Sequence, residues 1–361
     1  MRREGIADPI LAFDSENRRC EFRTPTGSTV LDYAALTGGR PHYVYPQHRL
    51  VTRLYQAVVD AGADIRCGCT VDMAGPDSAG VLLSGAANNG DRFEVRCDVV
   101  VGCEGADSVV AEAIPGLSVR RRRLPVRWLA AIGAAPRLAD HTIYAVHPRG
   151  FAGHMRRDAG HARYYLQVAA GDSAADWPER RVRDELARRL LVEDQFDTVP
   201  LVDFSFVDLR MQVAQPMQDD RRYLAGDAAH LITPAGGKGM NLAIQDAVEL
   251  AHGLIDRFGA AHSGARLSAY SVTRLPAIWR AQAFSEWFLR IIQAGPPDDD
   301  GPGAAGHAGF ADGIRDAWVA ALHDDPLLAR WFAHAYTGVD PEPHSPIRAA
   351  EPDVSATRLR P

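Results

Sequence analysis

The sequence predicts an α/β fold with α+β character: a covered sheet, interleaved with a β-rich region and followed by C-terminal helices. Three observations predict it. Residues 223–241 run from a short apolar strand through Asp227 and a Gly-rich turn into a long helix. Residues 93–103 change from alternating to continuously apolar, as a strand does on entering a sheet covered on both faces. Residues 122–215 read mostly as strands, with one charged helix at 179–191 between them.

The elements follow in order. Residues 8–37 alternate short β-prone runs with turn residues, among them 10–13 and 20–23. From Gln47 the period becomes helical, with Leu50, Val51, Leu54, Tyr55 and Val58 on one face and Gly62 as the stop. A strand is expected at 65–71, then a hairpin turn at Asn88-Asn89-Gly90. Strands are expected at 128–132, 142–146 and 163–168. The helix at 236–258 presents Met240, Ile244, Ala247, Val248, Ala251, Leu254 and Ile255 on one side. Another helix covers 267–292, kinked at Pro276. Residues 295–303 have linker composition, and helices at 314–322 and 327–336 close the fold.

Composition narrows the function classes. A chain of 361 residues with 46% hydrophobic content can bury a large core, and its net charge of −6 does not point to nucleic acid. The basic run 120–123 reads as a solvated strand edge. No run of about 18 apolar residues suggests a membrane span, and the first residues lack a signal-type apolar stretch. Cys20, Cys67, Cys69, Cys97 and Cys103 have no zinc-type spacing and read as buried free thiols of a cytoplasmic protein. No metal is expected.

The strand–Asp–Gly pattern has its own chemistry. A carboxylate at a strand end can hold a sugar hydroxyl, and a helix start offers free N–H groups to a negatively charged ring edge. The run Gly-Asp-Ala-Ala-His at 226–230, with Pro234, Gly236, Gly237, Lys238, Gly239, Met240, Asn241 and Leu242, resembles the second flavin-binding motif of FAD-dependent aromatic hydroxylases. Within these flavoprotein monooxygenases the similarity is greatest to the 4-hydroxybenzoate 3-monooxygenase branch. It extends over about residues 5–339 in element order. That resemblance implies an oxidoreductase using FAD, NADPH or NADH, and O₂. Its reduced flavin forms a C4a-hydroperoxide that hydroxylates a benzoate ortho to a ring hydroxyl or amine. A homodimer is a further family implication.

The same resemblance implies residue roles. Asp227, Gln47 and the turn Gly236–Asn241 would hold FAD, with Glu104 and Gly105 on a strand touching flavin and nucleotide. Arg210 would lie on the nucleotide side. Arg157 and Tyr165 would bind the substrate carboxylate, and Arg163 would lie over the flavin. Tyr144 would hold the substrate phenol and pass its proton to Tyr336, with the Pro234 carbonyl facing the ring. Taken singly, Asp227 reads equally as a helix cap and each tyrosine as a packed aromatic. Tyr144, Arg157, Tyr165 and Tyr336 in register favour the functional reading.

Three departures stand out. Met155 replaces a family Ser on the carboxylate, removing a donor. Asp107 and Ala111 replace a His and an Arg offered to nucleotide phosphates, which questions a preference for NADPH. The Gly-x-Gly-x-x-Gly turn that opens the family fold has no counterpart near Met1. Roughly sixty preceding residues are therefore expected to be missing, enough for one βαβ unit. A start codon placed too late, a fragment, or a partner chain would each explain this, and the first is preferred.

The resemblance divides the chain into five parts. Residues 1–119 are the remainder of an N-terminally truncated, Rossmann-like FAD-binding domain, with substrate-sheet strands inserted at about 8–37. Residues 120–218 form a β-rich substrate domain, and 219–294 return to the FAD domain. Residues 295–339 are C-terminal helices and 340–361 a disordered tail. The competing reading is a non-catalytic ligand-binding remnant of such a hydroxylase, lacking the pyrophosphate-binding turn.

Overall fold

The computed structural model describes residues 16–76, 80–134, 138–158, 160–192, 196, 200–294 and 309–338. It begins with β1 (Glu16–Asn17), β2 (Cys20–Thr24), β3 (Gly27–Leu31), α1 (Tyr33–Leu36), β4 (His42–Tyr43) and α2 (Gln47–Asp60). A meander follows: β5 (Cys69–Pro76), β6 (Val81–Ala87) and β7 (Arg92–Cys97). After it come β8 (Val100–Gly102) and α3 (Val109–Glu112). Next are β9 (Ser118–Gly133), β10 (Thr142–Ala145), β11 (Ala152–Arg156), β12 (Ala162–Ala169), α4 (Glu179–Arg189) and β13 (Leu201–Gln215). The last part holds β14 (Arg222–Leu224), β15 (His230–Leu231), α5 (Gly239–Phe258), α6 (Ala265–Ser268), α7 (Tyr270–Ile292), α8 (Phe310–Asp324) and α9 (Pro326–Thr337).

The largest sheet has the order β15-β13-β9-β12-β11-β10-β2-β3, antiparallel except where β10 meets β2. Strand alternation sorts its side chains into two cores. One face carries Phe22, Trp128, Ala130, Tyr144 and Tyr165, packed under Phe284 and Phe288 of α7 and Phe332 and Tyr336 of α9. The opposite face carries Leu129, Ala131, Ile143, Tyr164 and Leu166, covered by Val182, Leu186 and Leu190 at α4. Helix α9 is well delimited. The Asp325 carboxylate accepts the N–H groups of Leu327 and Leu328, Pro326 occupies the first turn, and Gly338 ends the helix at φ +70°.

A third core lies around the parallel pair β8–β14, where Val100, Tyr223 and Leu224 pack with Leu242, Leu250 and Tyr270. Helix α5 turns Leu242, Asp246, Leu250 and Gly253 inward, whereas Met240, Ala247, Ala251 and Ile255 are exposed. This corrects the expected apolar face. The buried partner of the helix is an acid, Asp246, so apolar periodicity points to the wrong side.

Other expectations also shift. The helix from Gln47 forms, but of its apolar face only Leu50 is buried; Val51, Tyr55 and Val58 are exposed. The strand expected at 65–71 starts only at Cys69, after Gly68 at φ +69°. The run 93–103 is two strands, β7 in the meander and β8 beside β14, so the change of pattern marks a change of sheet. The helix expected over 267–292 breaks at Ala269. All five cysteines are free, yet Cys67, Cys69 and Cys103 are exposed rather than buried. The hairpin turn at Asn88–Gly90 joins β6 to β7, with Gly90 at φ +89°. The run at 10–13, the 295–303 segment and the tail beyond 340 lie outside the described residues. Among the described residues, no helix is long and apolar enough to cross a membrane, and no cluster could hold a metal.

Candidate active site

Sheet register builds the site floor. Phe22, Tyr144, Gly153, Tyr165 and Ala130 form one row across five strands. Met155, Arg163 and Ile132 form the row two residues along, on the same face. Gly153 is required by its neighbour: a Cβ there would come within 2.8 Å of the Phe151 ring. Trp128 packs 4.7 Å from Phe151 and 5.2 Å from Tyr165, centroid to centroid, and its indole N–H is enclosed without a partner among the described residues.

Helix α9 lowers Tyr336 onto this floor. Its hydroxyl is 2.8 Å from that of Tyr144, both residues being buried. Burial pushes both phenols well above their ordinary range, so each stays protonated at neutral pH and can donate and accept at once. The Tyr336 ring stacks on Phe332 and meets Tyr33 edge-on at 5.1 Å.

Two further groups fix Tyr336 from behind. Its carbonyl, one of those a helix end leaves unpaired, accepts from the Lys238 ammonium and lies 3.1 Å from His42 Nε2. Burial pulls Lys238 down to about 7. Burial, reinforced by the Lys238 charge, pulls His42 down to about 3. The imidazole is therefore neutral, and donation to the carbonyl requires the Nε2–H tautomer.

The substrate-type residues lie on β11, β12 and the turn between them. Arg163 sits 5.9 Å from the Tyr165 ring centroid, with its Nε enclosed and without a partner among the described residues. Arg157 lies in the turn between β11 and β12, half-buried, its backbone N–H donating to the His161 carbonyl. Its guanidinium forms no hydrogen bond or ion pair among the described residues. Met155 packs against the aromatic core.

The cofactor-type residues are mostly open. Asp227 is exposed in the turn Gly226–Ala228, and Gln47 is exposed at the start of α2. Gly236 and Gly237, at φ +78° and +62°, form a turn closed by the Gly237 N–H and the Pro234 carbonyl at 3.0 Å. Those left-handed residues delay the helix to Gly239, leaving Met240 and Asn241 exposed. Gly105 has φ +94°. The Glu104 carboxylate accepts from Ser108 Oγ at 2.6 Å and the Val110 N–H at 3.1 Å, capping α3. Arg210 is exposed on β13, opposite Arg123. Gln47, Glu104 and Arg210 form no hydrogen bond with the tyrosine pair.

Sequence reasoning missed His42, which reaches Tyr336 across 294 residues. It also missed the support beneath Asp227. Fully buried Asp246 accepts from Arg274 Nε at 2.7 Å, His230 Nε2 at 2.6 Å and the Gly226 N–H at 3.1 Å. An Asp at helical spacing between Leu242 and Leu250, with a His inside the motif, was the available signal.

Comparisons with known proteins agree with this architecture. A family model described as FAD binding domain matches residues 1–285. The p-hydroxybenzoate hydroxylase of Acinetobacter baylyi (strain ATCC 33305 / BD413 / ADP1) is 32% identical over 270 residues, 73% of this chain and 65% of that protein. The 12-dehydrotetracycline 5-monooxygenase/anhydrotetracycline 6-monooxygenase of Streptomyces rimosus is 28% identical over 268 residues, 68% of this chain and 51% of its own length. The chain thus spans between half and two thirds of these relatives. The crystal structure of p-nitrophenol 4-monooxygenase from Pseudomonas putida DLL-E4 has the same fold. It superposes with a TM-score of 0.77 at 20% identity, covering 94% of this chain and 86% of that one.

Proposed function

The chain belongs to the FAD-binding domain family, and from that premise we propose that it serves an FAD-dependent hydroxylase of benzoates. The substrate carries a ring hydroxyl or amine, the new hydroxyl enters ortho to it, and NAD(P)H and O₂ are consumed. The observation that carries this reading is the buried 2.8 Å contact between Tyr144 and Tyr336.

The residues present fit FAD. The left-handed glycines and the exposed start of α5 form a backbone cradle, and open space surrounds Gly237. A helix start favours a negatively charged ring edge. Asp227 would hold the sugar-like chain, kept in place by the Gly226–Asp246 bond. Gln47, Gly236–Asn241 and Gly105 would complete the contacts, with the Glu104 carboxylate shaping the α3 turn. Bound FAD, reduced by the nicotinamide nucleotide, supplies the activated oxygen.

The chain's own residues prepare the ring. Tyr144 accepts the substrate's phenolic proton as it passes its own to Tyr336, and Tyr336 releases its own toward Thr142, its other side-chain hydrogen-bond partner, and on to solvent, so the ring becomes electron-rich where oxygen arrives. Both tyrosines are too buried to ionise alone, so they act as carriers of a proton. Arg157 pairs with the carboxylate through two parallel bonds, and Tyr165 adds a hydroxyl donor. Met155 narrows the pocket and offers no donor, which favours a substrate held at its carboxylate by Arg157. Arg163 and the Pro234 carbonyl line the flavin side.

The test supplies 4-hydroxybenzoate and 4-aminobenzoate with FAD, O₂ and either nucleotide, and identifies products by mass. A single added oxygen ortho to the existing group is expected. Nucleotide oxidation yielding only hydrogen peroxide with every benzoate would reject the substrate class.

A further inference from the structure

Cys67 and Cys69 are separated by one glycine, and both are exposed. The chain bends at Gly68, which has φ +69°. Residues two apart in a strand lie about 6.5 Å from each other, whereas a left-handed residue between them shortens the span toward the roughly 5.5–6 Å that disulfides favour. The bend is built in. The Asn88 N–H, from the turn between β6 and β7, donates to the Gly68 carbonyl at 2.8 Å, and a Cβ on residue 68 would come within 2.8 Å of Asn88 Nδ2. Glycine is required there by its φ and by its neighbour.

The two thiols have different surroundings. Cys69 Sγ donates to the Cys67 carbonyl at 3.8 Å, so its side chain turns back over residue 67. Cys67 Sγ lies 3.9 Å from the Tyr55 hydroxyl on α2. A phenolic O–H there can donate to a thiolate, which favours the nucleophilic form. The other cysteines are placed otherwise. Cys20 is fully enclosed, and burial pushes its thiol far up. Cys97 is half-buried, its thiol pushed up by burial and by Asp98 and donating to the Val81 carbonyl at 3.6 Å. Cys103 is exposed but has no second cysteine beside it in the sequence.

We propose that Cys67 and Cys69 form a modification site, a surface dithiol that hydrogen peroxide closes reversibly to a disulfide across Gly68. The Cys67 thiolate attacks the peroxide, the O–O bond breaks, and Cys67 becomes a sulfenic acid as the first water leaves. The Cys69 sulfur then attacks Cys67 Sγ, the S–O bond breaks, and the hydroxide leaves as a second water with the Cys69 proton. Two thiols and one peroxide thus give one disulfide and two waters. The oxidant is small and diffusible, so the site needs no bound cofactor. An exposed disulfide of this kind is labile and is reopened by a dithiol reductant. A loop this short removes little freedom from the unfolded chain, so the bond acts as a redox mark and not as a brace.

The experiment treats the reduced full chain with hydrogen peroxide in steps, removes the excess with catalase, and counts thiols in denaturant. Loss of two of the five thiols is expected, with dithiothreitol restoring both. Cleavage after arginine isolates residues 67–92, which should be lighter by two hydrogens. Cys69→Ser should stop at a sulfenic acid on Cys67 that dimedone captures, and Cys67→Ser should slow oxidation of Cys69 by roughly tenfold or more. Cys103→Ser should leave the pair reacting as before. Retention of all five thiols, oxidation confined to Cys97 or Cys103, addition of oxygen without a disulfide, or a bond joining two copies would overturn the proposal. No FAD is added, so the outcome is independent of the hydroxylase reading.

Discussion

The tyrosine face of the large sheet and the region around β8 and α2 use the same kinds of residue to opposite effect. On the sheet face, aromatic groups from β2, β10, β12, α7 and α9 meet one another, and Tyr144 and Tyr336 are almost fully enclosed. On α2 the chain leaves apolar side chains in water: Val51 is 55%, Tyr55 48% and Val58 43% exposed. Among the described residues β8 pairs with β14 alone. The difference teaches that the half of the site proposed to handle the proton is built by contacts among the described residues, whereas Gln47, Asp227 and Asn241, proposed to hold the cofactor, lie exposed.

Substitutions that are equally apolar in sequence should therefore differ sharply in cost. Phe332→Ala removes a fully buried ring from the site-side core and is expected to cost about 3–5 kcal/mol in denaturant unfolding. A loss below about 1 kcal/mol would mean that this core is loosely packed.

Lys238 joins the two halves, lying at the flavin-type turn and bonding the Tyr336 carbonyl. Its folded value, about 7, lies below the 10.5 of a free lysine. Between those values the unfolded chain binds the extra proton, so stability should rise with pH from about 7 toward 10. The gain should amount to a few kcal/mol, and Lys238→Met should flatten it when unfolding is followed across that range. An unchanged slope in the variant would place its source elsewhere.

Arg157→Lys should weaken binding of a benzoate by roughly tenfold, since an ammonium cannot make the paired contacts of a guanidinium. Equal affinities by titration would take Arg157 out of the carboxylate site. The smallest effect is expected at the open face: Val58→Ser should change stability by no more than about 0.5 kcal/mol. A much larger loss would show that Val58 is covered in solution.

Much of this fold was legible from periodicity, because helix and strand repeats survive whatever packs on them. The helices from Gln47 and through Phe332 were readable for that reason. Which face a helix buries was less so. In α5 the ion-paired Asp246 turns inward and Met240 and Ile255 turn outward, the reverse of what hydropathy implies. The break between β7 and β8 was hidden because both halves of 93–103 suit a strand, and only sheet pairing separates them. In the candidate site, Tyr144, Arg157, Tyr165 and Tyr336 were singled out through family motifs. His42 was not, because its hydrogen bond to Tyr336 depends on tertiary placement and leaves no local pattern.

The central claim is that the enclosed tyrosine pair carries the substrate's phenolic proton. Its most direct test is the hydroxylation rate of Tyr144→Phe, with FAD binding measured on the same preparation. Loss of a positioned proton acceptor should lower the rate by about a hundredfold or more while FAD binding is retained. An unchanged rate with FAD bound would contradict the relay.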